Sequence, residues 1–146
     1  MWLTLLFVLL SSVSGLQAQD DEGRFAVAGL KEREVEVFFT AFKEAVEKDD
    51  KQKVAAMLSY PITLYPGSGR KVKVASRARF IKLYDRIFDA EFKQLIANTE
   101  FKDLWARWSG VATPRGEIWI NGIVTHPKVS DKYIIKITSI NGPIYR

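Results

Sequence analysis

The chain has 146 residues and no cysteine, so disulfide bonds, thiol nucleophiles and cysteine-based zinc sites are excluded. It has a single histidine, His126, which rules out a histidine-rich metal site. Its 22 basic and 17 acidic side chains give a formal net charge of +5, which favours anionic partners weakly. From these counts we predict neither a bound metal nor a cofactor.

An apolar run at the N-terminus predicts an export signal. The run Leu3 to Leu10 is almost entirely apolar, small and polar residues follow it, and acidic residues begin at Asp20. Cleavage after Gly15 or after Ala18 satisfies the small-residue rule, and we assign residues 1–18 to the signal peptide. The run is far shorter than the roughly 20 apolar residues of a membrane-spanning helix. We therefore expect a periplasmic or secreted protein that is not an integral membrane protein.

The remaining chain divides into a lead-in and one domain. Residues 19–30 are charged, small and aperiodic, which predicts a flexible lead-in. Residues 31–146 have the length of a single domain. We expect this domain to bury a conventional core, because no disulfide is available to stabilise it.

The first part of the domain has helical periodicity. Apolar residues recur at the spacing of one helix face from Lys31 to Lys48. Asp49 and Asp50 supply an N-cap for a short second helix. We expect that helix to end at the Tyr60-Pro61 step, because proline pushes the residue before it out of the α region.

Two short strands and two further helices follow. The segments Pro61 to Tyr65 and Lys71 to Ala75 are predicted strands around a turn rich in proline and glycine. Ser76 caps a third predicted helix that reaches Phe88, and Asp89 begins a fourth.

The final third predicts β-structure. Leu104 to Ala112 and Glu117 to Ile120 flank a Thr-Pro-Arg-Gly turn and form a predicted hairpin. Tyr133 to Ile140 is the last predicted strand, since apolar and polar residues alternate in it. Helices followed by antiparallel strands, without a strand-helix-strand rhythm, predict an α+β fold.

This order of elements resembles the nuclear transport factor 2-like superfamily, which also holds SnoaL-like and ketosteroid-isomerase-like domains. The resemblance is carried by the Val35 to Val46 helix, the Tyr60-Pro61 step, and the block from Trp108-Ser109-Gly110 through Gly116 to Ile120 that ends near Ile140 to Gly142. It implies a curved antiparallel sheet wrapped on the N-terminal and central helices. It also implies a cone whose open end often holds a small molecule, and frequently a homodimer through the sheet.

One face of the predicted hairpin has the composition of a pocket. A turn closed on Pro114-Arg115 places Gly110 opposite Trp119 and Trp108 opposite Asn121. The shared face then carries Trp108, Gly110, Ala112, Glu117, Trp119 and Asn121. Aromatic side chains with a few polar groups are typical of ligand sites, so we predict ligand contacts from Trp108, Glu117, Trp119 and Asn121, with Tyr84 on the third helix facing them. Ordinary sheet packing of Trp119 over Gly110 is the alternative.

Two acids are candidate general bases, although no catalytic residue is assigned. Desolvation against indole rings would raise the pKa of Glu117 toward neutrality; a solvated position beside the turn is the alternative. Asp85 follows Tyr84, but adjacent helical residues point about 100° apart and cannot serve one small site. An ion pair with a nearby arginine is the alternative for Asp85. We interpret His126, which precedes a proline, as a surface residue.

A basic strip occupies the middle of the chain. Six cations fall within thirteen residues without an acid: Arg70, Lys71, Lys73, Arg77, Arg79 and Lys82. The strip could bind an anionic group, or it could be the solvated face of a strand and a helix. No nucleic-acid recognition module is present, so we do not expect a nucleic-acid partner.

The leading functional hypothesis is an exported, non-enzymatic domain that binds a small apolar or amphipathic ligand, or serves as a scaffold. The alternatives are an isomerase-like or hydrolase-like enzyme that uses Glu117 or Asp85, and a protein-interaction or inhibitor module. Fold class alone does not decide among them.

Overall fold

The computed structural model describes residues 23–66, 70–126 and 132–142. The predicted signal peptide, residues 1–18, lies outside the described residues. The helices are α1 (Glu32–Glu47), α2 (Lys51–Ala56), α3 (Arg77–Ile87) and α4 (Ala90–Asn98), with 3-10 helices at Ala26–Ala28 and Phe101–Asp103. The strands are β1 (Leu58–Pro66), β2 (Val72–Val74), β3 (Trp105–Arg107), β4 (Gly110–Ala112), β5 (Ile118–Val124) and β6 (Tyr133–Gly142). No described helix is both long enough and apolar enough to span a bilayer.

The strands form one curved, open sheet in the order β2-β1-β6-β5-β4-β3. The α+β prediction is confirmed, and the helices supply the second layer. The sheet is mixed, however, because β1 and β6 run parallel while the other neighbours run antiparallel. The sheet departs from the expected antiparallel arrangement at this one junction. Three antiparallel reversals from β3 to β6 bring the chain back alongside β1 in the same direction.

Local capping signals define three of the helices. The Asp50 carboxylate accepts from Lys53 N at 2.9 Å at the start of α2, the Ser76 hydroxyl accepts from Arg79 N at 3.3 Å at the start of α3, and Asp89 accepts from Phe92 N at 2.8 Å at the start of α4. Each side chain satisfies an amide that has no partner within its own helix. All three caps confirm the sequence prediction.

The core lies between the helices and one face of the sheet. Helix α1 contributes a buried stripe that includes Phe39 and Phe42, and α3 contributes Phe80 and Tyr84. The sheet contributes the fully buried side chains Leu64, Val111, Ile118, Ile120, Ile137 and Ile140. These residues form one continuous apolar cluster, so the described chain has a single core.

The second helix and the strand after it depart from prediction. Helix α2 ends at Ala56, and the chain enters β1 at Leu58, before the Tyr60-Pro61 step, whose peptide bond is cis. Pairing with β6 begins at this point, since Ile137 N donates to Met57 O at 2.9 Å. The expected helix end at Tyr60 is therefore wrong, because strand pairing replaces the last helical turn.

The predicted strand from Leu104 to Ala112 is interrupted. It reverses at Trp108-Ser109, so that β3 pairs with β4 and Trp105 lies opposite Ala112. Gly110 has a φ of +129°, a backbone conformation that residues other than glycine rarely adopt. Arg107 Nε also donates to Ser109 Oγ at 2.7 Å across the reversal. The sequence prediction missed this tight turn because its alternating pattern continues through it.

The segment expected to be a flexible lead-in is ordered from residue 23. Arg24 donates to the carbonyls of Phe101, Lys102 and Leu104 at 2.6, 2.9 and 3.2 Å and pairs with Glu32 at 3.0 Å. Phe25 is fully buried beside the Phe101 ring. Residues 23–30 therefore belong to the folded domain, and the 3-10 helix within them packs beside β3.

Candidate functional site

The two faces of the sheet differ in what covers them. Side chains such as Ile118 and Ile120 point inward and are fully buried in the core. Their neighbours Trp119 and Asn121 point to the opposite, outer face and are only half-buried. The predicted pocket was placed between α3 and the Trp108/Trp119 face, but the helices pack on the inner face instead. A site that includes Trp119 must therefore lie on the outer face.

A groove of about 560 Å³ crosses this outer face. We call it the outer groove; it is lined by Tyr65, Arg107, Ser109, Trp119, Asn121, Thr138, Ser139 and Asn141. The lining comes from β1, β5 and β6 and from the β3–β4 turn region. It combines aromatic surface with hydroxyl and amide groups, which is the mixture that orients a ligand in a binding site.

A β-bulge enriches the groove in hydroxyl groups. Trp119 pairs with Ser139, whereas the next residue, Ile120, pairs with Ile137, so Thr138 is an extra residue in β6. Regular alternation would turn Thr138 and Ser139 to opposite faces. Because of the bulge, both line the outer groove.

The aromatic side chains of the groove contact another ring and two cations. The Trp105 ring meets the Trp119 ring edge to face with centroids 5.4 Å apart. The Arg107 guanidinium lies 4.6 Å from the Trp119 ring centroid, and Lys71 Nζ lies 5.5 Å from the Tyr65 ring centroid. The 40% exposure of Tyr65 leaves aromatic surface available to a ligand.

Two amides set the polar part of the groove. Asn121 Nδ2 donates to Thr138 Oγ1 at 2.8 Å, and Asn141 Nδ2 donates to Gly116 O at 2.7 Å. Since a carbonyl can only accept, the second bond fixes the amide orientation of Asn141. Asn141 Oδ1 is buried and has no partner among the described residues. Asn141, a residue of the groove lining, therefore carries an acceptor that no described group satisfies.

The groove carries positive charge without an opposing carboxylate. Arg107 is the charged member of the described lining, and among the described residues its guanidinium donates only to Ser109. Glu117, the acid of the adjoining turn, is already bound by Arg115 Nε at 2.8 Å. An anionic group would thus meet Arg107 without competition from a carboxylate of the lining.

Of the ligand contacts predicted from sequence, the structure brings Trp119 and Asn121 together in the groove. The predicted hairpin register is wrong by two residues, because Ala112 pairs with Trp119 and not with Glu117. Trp108 is 83% exposed in the β3–β4 turn and is not part of the described lining. Trp119 and Asn121 still share a face because they are two residues apart in β5, whereas the reversal before Gly110 brings Arg107 and Ser109 to the Trp119 face, opposite to the face predicted for them.

Glu117 is a structural acid of the turn. Its side chain is 8% exposed and accepts from the Thr113 hydroxyl at 2.7 Å, from Arg115 N at 3.1 Å and from Arg115 Nε at 2.8 Å. Burial raises the pKa of this carboxyl, but the hydrogen bonds from Thr113 and Arg115 outweigh it, so the pKa is lowered. The expected rise toward neutrality is wrong, because donors rather than indole rings surround the carboxylate.

Tyr84 and Asp85 lie away from the outer groove. Tyr84 is fully buried in the core, where its ring stacks on Phe88 at a centroid distance of 5.0 Å. Burial, followed by the Asp49 and Asp85 charges, raises the pKa of its hydroxyl. Asp85 is exposed and pairs with Lys51 at 2.7 Å. The structure therefore separates these two predicted candidates from Trp119.

The remaining predicted residues are on the surface. His126 is exposed, as is each member of the basic strip: Arg70, Lys71, Lys73, Arg77, Arg79 and Lys82. Within the part of the chain that the structure describes, no three histidine or acidic side chains converge to hold a metal ion. Lys71 is the strip member that reaches the groove, through its contact with Tyr65.

Sequence reasoning missed most of the groove. Tyr65, Arg107, Thr138, Ser139 and Asn141 were not singled out, although each lies in or beside a predicted strand. The alternation of β6 indicates which side chains point outward, but only the pairing of β6 with both β1 and β5 brings Tyr65 and Trp119 over the same surface.

A second concavity lies on the helical side. It has a volume of about 540 Å³ and is lined by Arg33, Glu34, Val37, Phe38, Ala41, Met57, Tyr133 and Ile135. Val37 is 56% exposed there. The lining is more apolar than that of the outer groove and offers few groups that could orient a ligand.

Comparisons with family models, with curated proteins and with solved structures gave no match to this chain.

Proposed function

We propose that this chain is a non-enzymatic binding domain whose amphipathic ligand lies in the outer groove. The observation that carries the proposal is the lining itself, where Trp119 and Tyr65 are interleaved with hydroxyl and amide side chains. A ligand with a flat apolar side and polar edges would complement both. The described lining includes no carboxylate and no imidazole, which favours binding over acid–base catalysis.

The first part of the support is geometric. The groove floor is a sheet whose inner face is packed against the core, so the floor is rigid before any ligand arrives. Arg107 stacks on Trp119, and Asn121 is tied to Thr138, so two of the contact groups are already oriented. A pre-oriented site loses little conformational entropy on binding.

Export to the periplasm or the outside, and membership of the nuclear transport factor 2-like superfamily, stay part of this proposal. A helical layer on one face of a curved sheet supports the family resemblance. A homodimer through the sheet is the competing use of the same surface, because it would cover Trp119 and Tyr65. The oligomeric state is therefore the first measurement to make.

The test is a thermal-shift panel on the chain from residue 19, with cholate, laurate, indole-3-acetate and linear oligosaccharides as probes. We expect at least one probe to raise the melting temperature and to change tryptophan fluorescence. Tyr65→Ala should abolish the shift, while Trp108→Ala, an exposed aromatic outside the lining, should retain it.

Two results would contradict the proposal. One is a panel in which no probe shifts the melting temperature of the wild-type chain. The other is a shift that survives Tyr65→Ala unchanged, since the ligand would then bind elsewhere, as at the helical concavity lined by Val37 and Phe38.

A further inference from the structure

The outer groove has a charge pattern that narrows the class of its ligand. This inference rests on the proposed function and concerns the same site. Cations stand at two places: Arg107 at the Trp119 end and Lys71 at the Tyr65 end. Lys73, which pairs with Thr63 on β1, adds a third positive charge beside the Tyr65 end. The described lining contains no carboxylate, so the groove is complementary to an anion.

The separation of the two ends requires an extended ligand. Tyr65 pairs with Asn141 of β6, and Trp119 pairs with Ser139 of β6. Their strands, β1 and β5, therefore lie on either side of β6, and the two residues are offset by two residues along the strand direction. Standard strand spacings then place the Cα atoms of Tyr65 and Trp119 ~12 Å apart. One pyranose-sized ring cannot cover both, whereas a chain of several rings can.

The neutral polar groups identify the ligand's own chemistry. Asn141 Oδ1 lacks a donor, which a phosphodiester or a carboxylate cannot supply at neutral pH. A ligand hydroxyl both donates and accepts, and so fits this amide and the Ser139 and Thr138 hydroxyls beside it. A single-stranded nucleic acid carries a charge at every nucleotide and would favour a denser row of cations along the groove than Arg107, Lys71 and Lys73 provide.

We propose that the outer groove binds an acidic oligosaccharide, with one sugar ring over Tyr65, a second beside the Arg107–Trp119 stack, a carboxylate at Arg107, and hydroxyls at Asn141 and Ser139. Each of the three chemical features of such a chain then has a counterpart in the groove: apolar ring faces for the aromatics, donors for the orphan amide oxygen, and negative charge for the cations. Lys71 and Lys73 receive the next charged sugar along the chain.

The experiment compares two chains of equal length and linkage type, pentagalacturonate and maltopentaose, by calorimetry at low and high salt. We expect pentagalacturonate to bind about tenfold more tightly at low salt, with the preference shrinking as added salt screens the charges. Arg107→Gln should weaken the acidic pentamer about tenfold, and Arg79→Gln, an exposed arginine of α3, should leave it unchanged.

A charge-insertion variant separates this inference from a folding defect. The Ser139 hydroxyl has no described hydrogen-bond partner, so Ser139→Asp should leave the fold intact while placing a carboxylate in the groove. We expect it to weaken pentagalacturonate far more than maltopentaose. Thr40→Asp, on the exposed side of α1, changes the net charge equally and should affect neither.

The outcomes distinguish this inference from the proposed function. Equal affinity for the two pentamers overturns the acidic preference and leaves a groove that binds sugars. Binding of cholate or laurate but of neither pentamer overturns the oligosaccharide and leaves the binding function. Tighter binding of an oligothymidylate or of phosphatidylglycerol vesicles, or a stable dimer that Ser139→Asp dissociates, assigns the face to another partner and overturns the inference. Failure of every probe overturns both.

Discussion

Replacing Glu117 with glutamine should destabilise the fold by removing a buried charge from its donors. Three donors converge on the carboxylate: the Thr113 hydroxyl, Arg115 N and Arg115 Nε. A hydrogen bond to a charged group contributes about 1.5–3 kcal/mol when it is buried. The Arg115 side chain is 77% exposed, so its ion pair contributes little. The glutamine keeps one acceptor oxygen, and we expect a loss of about 2 kcal/mol.

The lowered pKa of Glu117 determines how its contribution to the free energy of unfolding changes with pH. The pKa of Glu117 in the folded chain lies below its ordinary value of 4.5, because the donors favour the ionised form more than burial disfavours it. Its stabilising contribution is therefore complete above pH 4.5 and is lost as the pH falls through the folded-state pKa. The difference between wild type and Glu117→Gln should shrink over the same range.

Urea unfolding from pH 7 down into the acid range measures both effects, by linear extrapolation of the free energy of unfolding. For a domain of this size, 2 kcal/mol corresponds to a fall of about 8 °C in melting temperature. Arg115→Gln is the matched control and should cost less than about 1 kcal/mol, because the arginine is exposed. A Glu117→Gln chain as stable as wild type at pH 7, or a difference that widens on acidification, would show that the ionised carboxylate does not stabilise this turn.

Two further predictions concern single groups. The buried Tyr84 hydroxyl makes no hydrogen bond of good geometry, although burial raises its pKa and Asp49 lies close enough to raise it further, so Tyr84→Phe should change the free energy of unfolding by less than about 0.5 kcal/mol. Tyr60→Phe loses a 2.9 Å bond to Ala55 O and should lower the free energy of unfolding by about 1 kcal/mol. Thermal unfolding of the two variants measures the difference. Gly110→Ala should lower the free energy of unfolding by more than about 1 kcal/mol, because φ is +129° and a Cβ would lie 2.5 Å from Asn121 Oδ1. The same substitution should weaken ligand binding in the groove. An unchanged melting temperature and an unchanged affinity would contradict this prediction.

The parts of the fold that the sequence predicted are those decided by neighbouring residues. Asp50, Ser76 and Asp89 each cap a helix through an amide three residues away, and a local pattern is enough to find such a bond. The Trp108-Ser109 reversal is also local, but an alternating stretch of aromatic and small residues obscures it. The residue that indicates the reversal is Gly110, which the sequence analysis placed inside a regular strand.

The candidate site depended on contacts between distant parts of the chain. Nothing near Tyr65 indicates that β6 will lie beside it, and the bulge at Thr138 arises only from the pairing of β5 with β6. The choice of face was open to sequence reasoning, because Ile118 and Ile120 form a more apolar set than Trp119 and Asn121. Burial follows the more apolar set, and the aromatic face is left to solvent.

The two edge strands of the sheet, β2 and β3, are both protected against pairing with another molecule. At one end, β3 is covered by residues 23–30, which Arg24 anchors through three carbonyls. At the other, β2 is only three residues long and carries Lys73, with Lys71 just before it. A strand from another molecule could not pair with β3, because residues 23–30 cover it, and β2 is too short and too positively charged to pair stably. Copies of this molecule should therefore have little tendency to extend into fibrils through strand pairing, and any assembly is directed to the broad faces of the sheet.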